Sequence, residues 1–387
     1  MICYIIIRPI SSQFMKNTQI YRDQNISFNQ LDNLFLSHAN LIDLRAPIEV
    51  ARGGISEAIN SPLLNNDERH LIGITYKKNG KKAAISLGES IVSGEAREKR
   101  IESWIESINN RTNTALFCAR GGLRSFTAQG WLRHRGIHVP RIEGGYKTLR
   151  AHLLKSLGGA LIKTNFFLIG GRTGSAKTHL LGKLANKIDL EKIANHRGSA
   201  FGRRATPQPA QSTFENQIAL ELMRLNNTPR PFIFLEDEGS SIGSVALPTA
   251  LFEKMGTSKL AVVDEDINYR TQTILEDYVI SNLRELRTKF PSKRETEAAF
   301  SSFLLDNLER IKKRLGGVLY KEIRALMQDC LSDYSDLMKH QTWIRILLME
   351  YYDPMYDYQI KKKSARIIFQ GNSQDFSQWA ADIESAS

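Results

Sequence analysis

Short apolar runs alternate with helical stretches over the first third of the chain. The runs that this pattern predicts as β-strands are Leu41–Asp43, Ala58–Asn60 and Ala115–Phe117. A helix is predicted over residues 127–135, after the last of these runs. Strands that alternate with helices are typical of an α/β fold built around a parallel sheet. We therefore predict an α/β domain over residues 28–152.

A second α/β pattern begins near residue 160. The apolar run Asn165–Ile169 predicts a buried strand that leads into a glycine-rich turn, and a helix is predicted from Ala176 to about Lys187. Two more buried strands of the same sheet are predicted at Phe232–Leu235 and Leu260–Val263. We assign this second domain to residues 160–280.

The rest of the sequence is mostly helical in its apolar spacing. This spacing extends from Tyr269 to about Tyr352, and it breaks at Pro291 and at Gly316-Gly317. Residues 281–387 are therefore predicted to form a helical C-terminal region.

The first 27 residues are predicted to be an N-terminal extension. Their apolar run, residues 1–7, ends at Arg8-Pro9 and is too short to span a bilayer. It also lacks the basic start of a signal peptide. We expect this run to be an extra strand, or to lie upstream of a start at Met15.

Composition narrows the class of protein. A chain of 387 residues with 42% hydrophobic and 24% charged residues is expected to fold into two or three globular domains. Its formal net charge of +12 and isoelectric point near 9.5 favour an anionic partner, because Lys and Arg release counterions from a nucleic-acid backbone. Charge alone favours RNA or DNA only slightly, since many basic proteins bind neither.

The three cysteines are widely spaced. Cys3, Cys118 and Cys330 form no CxxC pair, which argues against a structural zinc site and against a disulfide framework. We expect a reducing, cytoplasmic compartment, no metal site built from cysteine and no membrane partner.

One cysteine stands in a glycine-rich loop between a predicted strand and a predicted helix, Phe117-Cys-Ala-Arg-Gly-Gly-Leu-Arg-Ser125. The glycines allow the backbone amides to turn inward, and the helix adds its positive N-terminal end, so the loop can stabilise a thiolate and an oxyanion. Arg120 and Arg124 add positive charge. We predict that Cys118 is a reactive nucleophile assisted by these two arginines, although a buried structural cysteine remains the alternative.

The spacing Cys-x5-Arg also occurs in cysteine phosphatases, so spacing alone does not separate phosphate hydrolysis from sulfur or selenium transfer. The surrounding sequence resembles a rhodanese domain, in the segments Leu41–Arg45, Gly54–Asn60 and Ile142–Gly145. By this resemblance the cysteine carries sulfur or selenium as a persulfide or perselenide. The residues that the resemblance implies as support for the loop are Asp43, Arg45, Gly121 and Gly122.

The second domain opens with a phosphate-binding pattern, Gly171-Arg-Thr-Gly-Ser-Ala-Lys-Thr178. It fits the P-loop pattern except that Ala176 stands where the pattern has glycine, a change that is tolerated at a helix start when φ is negative. Backbone amides would surround phosphate oxygens, Lys177 would neutralise them, and Thr178 is placed to hold Mg²⁺. We predict phosphate binding rather than ordinary nucleotide hydrolysis. The predicted phosphate site consists of Gly171, Gly174, Ser175, Lys177 and Thr178.

Two weaker signals follow the P-loop. Phe234–Glu238 ends a predicted strand in carboxylates, as a Walker B strand does, so Glu236 or Asp237 is a candidate for a metal role. His196 and Arg197 are candidates for contact with an anion, although a histidine in a turn more often makes a local hydrogen bond.

A rhodanese-like loop followed by a P-loop is an unusual combination, and over residues 41–278 the chain resembles bacterial tRNA 2-selenouridine synthases. The chain departs from that family at Ala176 and at Ser240-Ser241, where an arginine is expected. The further segments that carry the resemblance are Asp67–Lys77, Ala83–Gly88, Gly144–Lys147, Leu184–Asn186, Ala194–Gly202 and Glu236–Gly243.

The resemblance implies conversion of 2-thiouridine at the wobble position (U34) of tRNA to 2-selenouridine through an S-geranylated intermediate. It implies geranyl diphosphate and selenophosphate as substrates, no tightly bound cofactor, and tRNAs with Lys, Glu and Gln anticodons. Cys118 would carry selenium as a perselenide, and the P-loop would hold the diphosphate.

Two other functions remain open at this point. One is a rhodanese-type sulfurtransferase or cysteine phosphatase with an appended NTPase-like domain. The other is an RNA-binding protein in which both loops are inactive. The basic clusters at residues 312–314 and 361–363 are candidates for RNA contact, although a run of charge is more often a solvated face.

Overall fold

A computed structural model describes residues 25–109, 113–227 and 232–385. Cys3, Met15 and the strand expected near the N-terminus lie outside these ranges. The chain divides into two compact units, Met1–Ser156 and Leu157–Ser387. This division into two units does not test the boundaries of the four regions predicted from the sequence, which therefore stay predictions.

The first unit contains a three-stranded sheet and six helices among its described residues. The strands are β1 Asn40–Asp43, β2 Ile59–Asn60 and β3 Thr114–Phe117. The helices are α1 Leu31–Leu36, α2 Pro47–Ala51, α3 Asn66–Ile91, α4 Gly94–Asn109, α5 Leu123–His134 and α6 Gly145–Lys163.

The sheet of the first unit is parallel, with the order β2-β1-β3. All residues of β1 and β3 are buried, as expected for parallel strands covered on both faces. Asp43 at the end of β1 lies opposite Phe117 at the end of β3, so the residues that follow both strands meet at one edge. The three predicted strands are confirmed, and helix α5 begins four residues earlier than predicted.

The second unit combines a five-stranded sheet, a small two-stranded sheet and a group of helices. The strands are β4 Phe166–Gly170, β5 Lys187–Ile188, β6 Ile233–Glu236, β7 Ser241–Ile242, β8 Val245–Ala246, β9 Lys259–Val263 and β10 Ile367–Gly371. The helices are α7 Lys177–Lys183, α8 Leu190–Ala194, α9 Gln211–Asn226, α10 Thr249–Thr257, α11 Ile267–Ile274, α12 Ser281–Lys289, α13 Lys293–Leu315, α14 Gly317–Ser332, α15 Gln341–Leu347, α16 Asp353–Lys362 and α17 Ser373–Ser385.

The larger sheet of the second unit has the order β10-β9-β4-β6-β5, and all its pairs are parallel. Strand β4 is central, so the loop that follows it opens at the carboxyl edge between the ends of β6 and β9. The strands predicted at β4, β6 and β9 are confirmed. The sequence analysis did not predict β5 or β10, and helix α7 ends at Lys183 because the chain turns into β5 at Lys187.

The helical region packs around its own core. The predicted breaks are confirmed, since α12 ends before Pro291 and α13 ends at Gly316, which has a φ of +84°. Among the described residues, no helix combines the length and the apolar character needed to cross a membrane. A cluster of buried side chains in this region includes Phe300, Leu304, Leu308, Ile323, Met327 and Cys330.

A turn of two glycines closes on the loop that follows β3. The backbone amides of Tyr146 and Lys147 donate to the carbonyl oxygens of Cys118 and Ala119, at 2.8 and 3.2 Å. Gly145 has a φ of +58°, and a Cβ at this position would lie 2.1 Å from the Cys118 oxygen. Only glycine combines this conformation with so close an approach.

We predict that Gly145→Ala lowers the free energy of unfolding by about 2–4 kcal/mol, because it adds left-handed strain and a backbone clash. Gly158→Ala is the matched control, since this glycine lies in the same helix α6 and a Cβ there would have no neighbour within 4 Å. The control should gain roughly 0.5–1 kcal/mol. Urea unfolding of both variants checks the difference, and equal stability of Gly145→Ala and wild type would contradict the packing of this turn.

Candidate functional site

The thiol of Cys118 lies at the carboxyl edge of the first sheet. Cys118 follows β3 directly, is buried, and donates from Sγ to the Ser125 hydroxyl at 3.4 Å. The loop then reaches Gly121, whose φ is +61° and where a Cβ would stand 2.6 Å from the Gly144 amide nitrogen. The predicted role of Gly121 in shaping the loop therefore has a steric basis.

The loop leaves several amides available beside the thiol. Within the described chain, no hydrogen bond is donated by the backbone N–H groups of residues 119–122. The carbonyl of Gly121 is held by Arg141 Nη1 at 2.7 Å, and helix α5 starts immediately after Gly122. Free amides at the start of a helix favour an anion, so the arrangement suits a thiolate or an oxyanion.

Arg124 is paired with a carboxylate that the sequence analysis did not identify. Its Nη1 and Nη2 donate to the two oxygens of Glu49 at 2.6 and 3.0 Å. Burial alone would lower the pKa of Arg124, but the hydrogen bond to Glu49 and the charge of Glu49 raise it, with smaller contributions from Cys118 and Asp43. Burial alone would raise the pKa of Glu49, but its hydrogen bond to Arg124 lowers it. Arg120 is exposed, so the two predicted catalytic arginines have different surroundings.

Asp43 and Arg45 form a buried ion pair that supports the loop. The side chains are 1% and 4% exposed, and Arg45 Nη2 lies 2.6 Å from Asp43 Oδ2. Arg45 Nη1 also donates to the carbonyl of Gly53, and its guanidinium stacks 3.9 Å from the ring centre of Tyr146. Because the Tyr146 amide donates to the Cys118 carbonyl, the pair joins β1 to the loop that carries Cys118.

The P-loop lies between β4 and α7 as predicted. Gly171 and Gly174 have φ values of +141° and +86°, and Cβ atoms there would lie 2.3 Å from the Val263 carbonyl oxygen and 2.7 Å from that of Arg270. Ser175 is buried and donates to the carbonyl of Arg172. Ala176 has a φ of +56°, so the condition under which alanine is tolerated here, a negative φ, is not met. A left-handed alanine costs roughly 1–2 kcal/mol, which explains why glycine is usual at this position.

Lys177 folds back over its own loop. Its Nζ donates to the carbonyl oxygens of Gly171 and Arg172 at 2.8 and 3.3 Å, and lies 5.3 Å from the ring centre of Tyr356. Burial alone would lower the pKa of Lys177, but Tyr356 and nearby carboxylates raise it. The ammonium is therefore charged, and phosphate oxygens can replace the two loop carbonyls as its acceptors.

Carboxylates surround the other side of the P-loop. Thr178 Oγ1 donates to Glu191 Oε2 at 2.9 Å. A Cβ at Gly198 would lie 2.3 Å from Glu191 Oε1 and 2.9 Å from Glu238 Oε1, so both carboxylates converge on this glycine. Burial, followed by the charge of Glu238, raises the pKa of Glu191 to about 7, and burial also raises the pKa of Glu238.

The two candidates for a metal role take different positions. Glu236 is fully buried, accepts from the Leu190 amide, and burial raises its pKa well above the ordinary value. Asp237 accepts from Lys363 Nζ at 2.6 Å. Among the described residues, no group of three or more His, Cys, Asp or Glu side chains is arranged to hold a metal ion.

These elements enclose a cleft of about 1490 Å³ in the second unit. The P-loop lines part of it, and two exposed apolar side chains, Phe252 and Met355, line it elsewhere. Besides Lys177 of the P-loop, the basic side chains that line it are His179, His196, Arg197, Arg203, Arg204, Arg310, Arg314, Lys363 and Arg366. The cleft thus combines the P-loop with apolar and cationic walls.

The sequence analysis missed the partners of the predicted residues. Glu49 pairs with an arginine 75 positions later, and Glu191 bonds to a threonine of the P-loop. Neither carboxylate stands in a recognisable motif. For Ser125 a signal was available, because it lies one helical turn after Gly122, at the start of the helix that follows the loop of Cys118.

Comparison with known proteins identifies similar sequences over most of the chain. The family model described as "tRNA 2-selenouridine synthase AAA domain" matches residues 164–386. A tRNA 2-selenouridine synthase of Marinobacter nauticus is 42% identical over 355 residues, which cover 90% of this chain and 95% of the relative. Enzymes with the same name from Sulfurovum and Pseudomonas syringae pv. tomato are 40% and 41% identical, and cover 89% and 91% of this chain and 94% and 97% of the relatives.

The raised pKa of Glu191 predicts a pH dependence of stability in the absence of ligand. Between its ordinary value of 4.5 and about 7, the folded protein binds this proton more tightly than the unfolded chain does. The contribution of Glu191 to the free energy of unfolding therefore falls as pH rises through this window. Glu191→Gln should remove that part of the decrease, so the variant loses less stability than wild type between pH 5 and pH 8.

Chemical unfolding at several pH values measures this difference. The control is Glu253→Gln, which removes an exposed carboxylate of helix α10 outside the cleft. It should keep the pH dependence of wild type. An unchanged pH dependence in Glu191→Gln would mean that this carboxyl group is not buried among like charges.

Proposed function

This chain belongs to the family of tRNA 2-selenouridine synthases, and we propose that it converts wobble 2-thiouridine (U34) of tRNA to 2-selenouridine through S-geranyl-2-thiouridine. The proposed substrates are geranyl diphosphate and selenophosphate. The names of its relatives support the introduction of selenium into tRNA. The geranylated intermediate and the roles of individual residues are our proposal.

The observation that carries the geranyl step is the composition of the cleft in the second unit. A prenyl diphosphate has a charged head and an apolar tail, and the cleft offers the P-loop with Lys177 for the first and Phe252 and Met355 for the second. These two apolar side chains are 40% and 42% exposed, so they can lose contact with water when a ligand binds. A cleft lined only by charge would not favour the tail.

The geranyl step is a substitution at carbon. The sulfur of 2-thiouridine attacks C1 of geranyl diphosphate, the C–O bond breaks, and diphosphate leaves with the bonding electrons. Lys177 and the loop amides would stabilise the charge that develops on the leaving oxygen. Alkylation has a chemical purpose, because a thioether leaves as a thiol whereas a thiocarbonyl sulfur leaves poorly.

Oxygen donors for Mg²⁺ are present beside the P-loop. Thr178, Glu191 and Glu238 would hold the ion, and the diphosphate oxygens would supply further ligands, as is usual for Mg²⁺. The ion would neutralise negative charge on the diphosphate. We propose no tightly bound cofactor.

The selenium step is assigned to the cysteine loop of the first unit. We propose that Cys118 carries the selenium that replaces the geranylthio group, which leaves as geranylthiol. Selenium in selenophosphate is at the oxidation level of selenide, so loading Cys118 breaks the P–Se bond, forms an S–Se bond, releases phosphate and requires a disulfide to accept two electrons. The terminal selenium then attacks C2 as the bond to the geranylthio group breaks, and a thiol cleaves the S–Se bond, which returns the two electrons. The free amides of residues 119–122 would stabilise the anionic selenium.

The geometry supports this assignment over the cysteine phosphatase alternative. A phosphatase needs the arginine of the Cys-x5-Arg loop to bind phosphate, and here Glu49 already takes one N–H group from each Nη atom of Arg124, which leaves fewer donors for a phosphate. We propose that Arg124 positions the loop and that the exposed Arg120 approaches the substrate. The proposed tRNA partners have Lys, Glu and Gln anticodons, and the proposed location is the cytoplasm.

Lys177→Ala should weaken binding of geranyl diphosphate by roughly 10- to 100-fold, because it removes a charged hydrogen-bond donor to the diphosphate. Calorimetry with geranyl diphosphate measures this effect. Lys183→Ala is the matched control, since it removes the same charge at the end of the same helix outside the cleft. Equal affinities of the two variants would place the diphosphate elsewhere.

Cys118→Ser should still geranylate 2-thiouridine tRNA but should fail to introduce selenium, so that the geranylated nucleoside accumulates. Serine keeps the shape of the side chain, but its hydroxyl does not ionise readily or form a stable perselenide. Mass spectrometry of tRNA digested after incubation with both substrates measures each product.

Cys330→Ala is the control for this experiment. Cys330 lies in the helical core, where burial raises the pKa of its thiol, so its loss should leave both steps intact. A normal yield of 2-selenouridine from Cys118→Ser would refute the role of Cys118. Loss of geranylation in the same variant would show that the two steps depend on one site.

A further inference from the structure

We propose that four arginines of the cleft, Arg203, Arg204, Arg310 and Arg314, bind the phosphate backbone of the tRNA substrate. We call them the arginine cluster. The inference rests on the proposed function only in taking tRNA as the substrate, and it assigns the surface on which the RNA lies.

Two separate segments bring the cluster together. Arg203 and Arg204 follow the turn after helix α8, and Arg310 and Arg314 stand four residues apart on helix α13. Residues at this spacing project from the same face of a helix. All four side chains line the cleft that also contains the P-loop.

The cluster is poorly neutralised by the protein itself. Arg204 lies 3.5 Å from Glu285, which is shared with Arg197 at 3.0 Å. Across residues 25–109, 113–227 and 232–385, Arg203, Arg310 and Arg314 make no ion pair, although Arg310 donates to Asn307. Burial, followed by the charge of Arg203, lowers the pKa of Arg310. Like charges at such close range are unfavourable, and a bound anion would remove the repulsion.

Buried polar atoms beside the cluster lack partners. His196 is 5% exposed and Arg197 has a side chain that is 10% exposed, and both line the same cleft. His196 Nδ1 and Arg197 Nη1 have no hydrogen-bond partner in the described part of the chain. Buried groups of this kind are normally satisfied, so their presence points to a ligand that supplies the missing bonds.

The size and layout of the cleft favour a polyanion over a small one. Small-molecule sites are usually about 300–1,000 Å³, whereas this cleft measures about 1490 Å³. The P-loop already offers a separate phosphate site with its own lysine. Four guanidinium groups drawn from two segments offer more than one place for a phosphate, as a nucleic-acid strand requires, and arginine binds phosphate in a bidentate manner.

The structure also shows that the residues of the two basic runs noted in the sequence differ in their partners. Lys312 pairs with Glu309 and packs over Tyr320, and Lys363 pairs with Asp237. Arg314, which ends the first of these runs, faces the cleft without a described carboxylate beside it. Membership of a basic run therefore does not by itself mark the residues that we expect to contact RNA.

The test is a triple variant, Arg203→Gln with Arg310→Gln and Arg314→Gln, in the full chain. Its control is Arg294→Gln with Lys313→Gln and Lys321→Gln, which removes three exposed cations of helices α13 and α14 outside the cleft. Filter binding of tRNA with 2-thiouridine at the wobble position is measured over a salt series, and thermal unfolding checks that each variant is folded.

The cluster variant should bind tRNA at least roughly tenfold more weakly than the control, and the slope of log K against log salt should fall by about 2–3. Its affinity for geranyl diphosphate should stay within about twofold of wild type. An affinity and slope equal to those of the control would overturn the proposal. So would loss of geranyl diphosphate binding with tRNA binding intact, because the cluster would then be a small-anion site.

Failure of the proposed function gives a different result. If wild type binds tRNA through the cluster but forms no S-geranyl product, the assigned reaction is wrong and the RNA surface stands. If wild type forms both products while the cluster variant binds tRNA normally, the reaction stands and the RNA surface lies elsewhere.

Discussion

Close packing of backbone against backbone is the constraint on which both candidate sites depend. The carbonyl of Cys118 occupies the space that a Cβ of Gly145 would need, and the carbonyl of Val263 blocks a Cβ at Gly171. Both glycines have positive φ angles that other residues adopt only with strain. Neighbouring main chain therefore fixes the loop that carries the thiol and the loop that carries Lys177. The side chains of these loops are therefore not needed to hold the loops in place and can contact a ligand.

The charges of the cleft are compatible with an anionic ligand in spite of its carboxylates. Glu191 and Glu238 face the P-loop, but burial raises the pKa of both groups, with the charge of Glu238 as a further cause for Glu191 and the charge of Asp237 as a further cause for Glu238. At a given pH, a carboxyl group with a raised pKa is less ionised than one with an ordinary pKa, and so it repels a diphosphate less. Lys177 stays charged in the same surroundings, because Tyr356 and these carboxylates raise its pKa against burial. The raised pKa of the buried carboxyl groups and the unpaired arginines therefore both favour the binding of an anion.

The sequence predicted the strands and both loops well because each leaves a local signal. Buried parallel strands are continuous apolar runs, as in Phe232–Leu235, and the two loops have fixed spacings of Gly, Cys, Lys and Arg. Partnerships across the chain have no such signal, so the bond between Glu49 and Arg124 was not predicted. Strand β10 was missed because it alternates in exposure at the edge of the sheet and follows a run of lysines. The left-handed conformation of Ala176 was missed because alanine normally avoids it.

The position of β10 in the second sheet affects the order in which this unit can fold. β10 pairs with β9 across roughly 100 intervening residues, and closing a disordered loop of that length would cost about 4 kcal/mol in chain entropy. The intervening residues form the helical cluster, which brings the two strands together once it is packed. Helix packing and completion of the sheet are therefore coupled. Since the P-loop lines one part of the cleft and helices α13 and α16 line others, the binding surface is complete only when both the sheet and the helical core are folded. A destabilising mutation in the helical core would therefore lower the fraction of molecules able to bind.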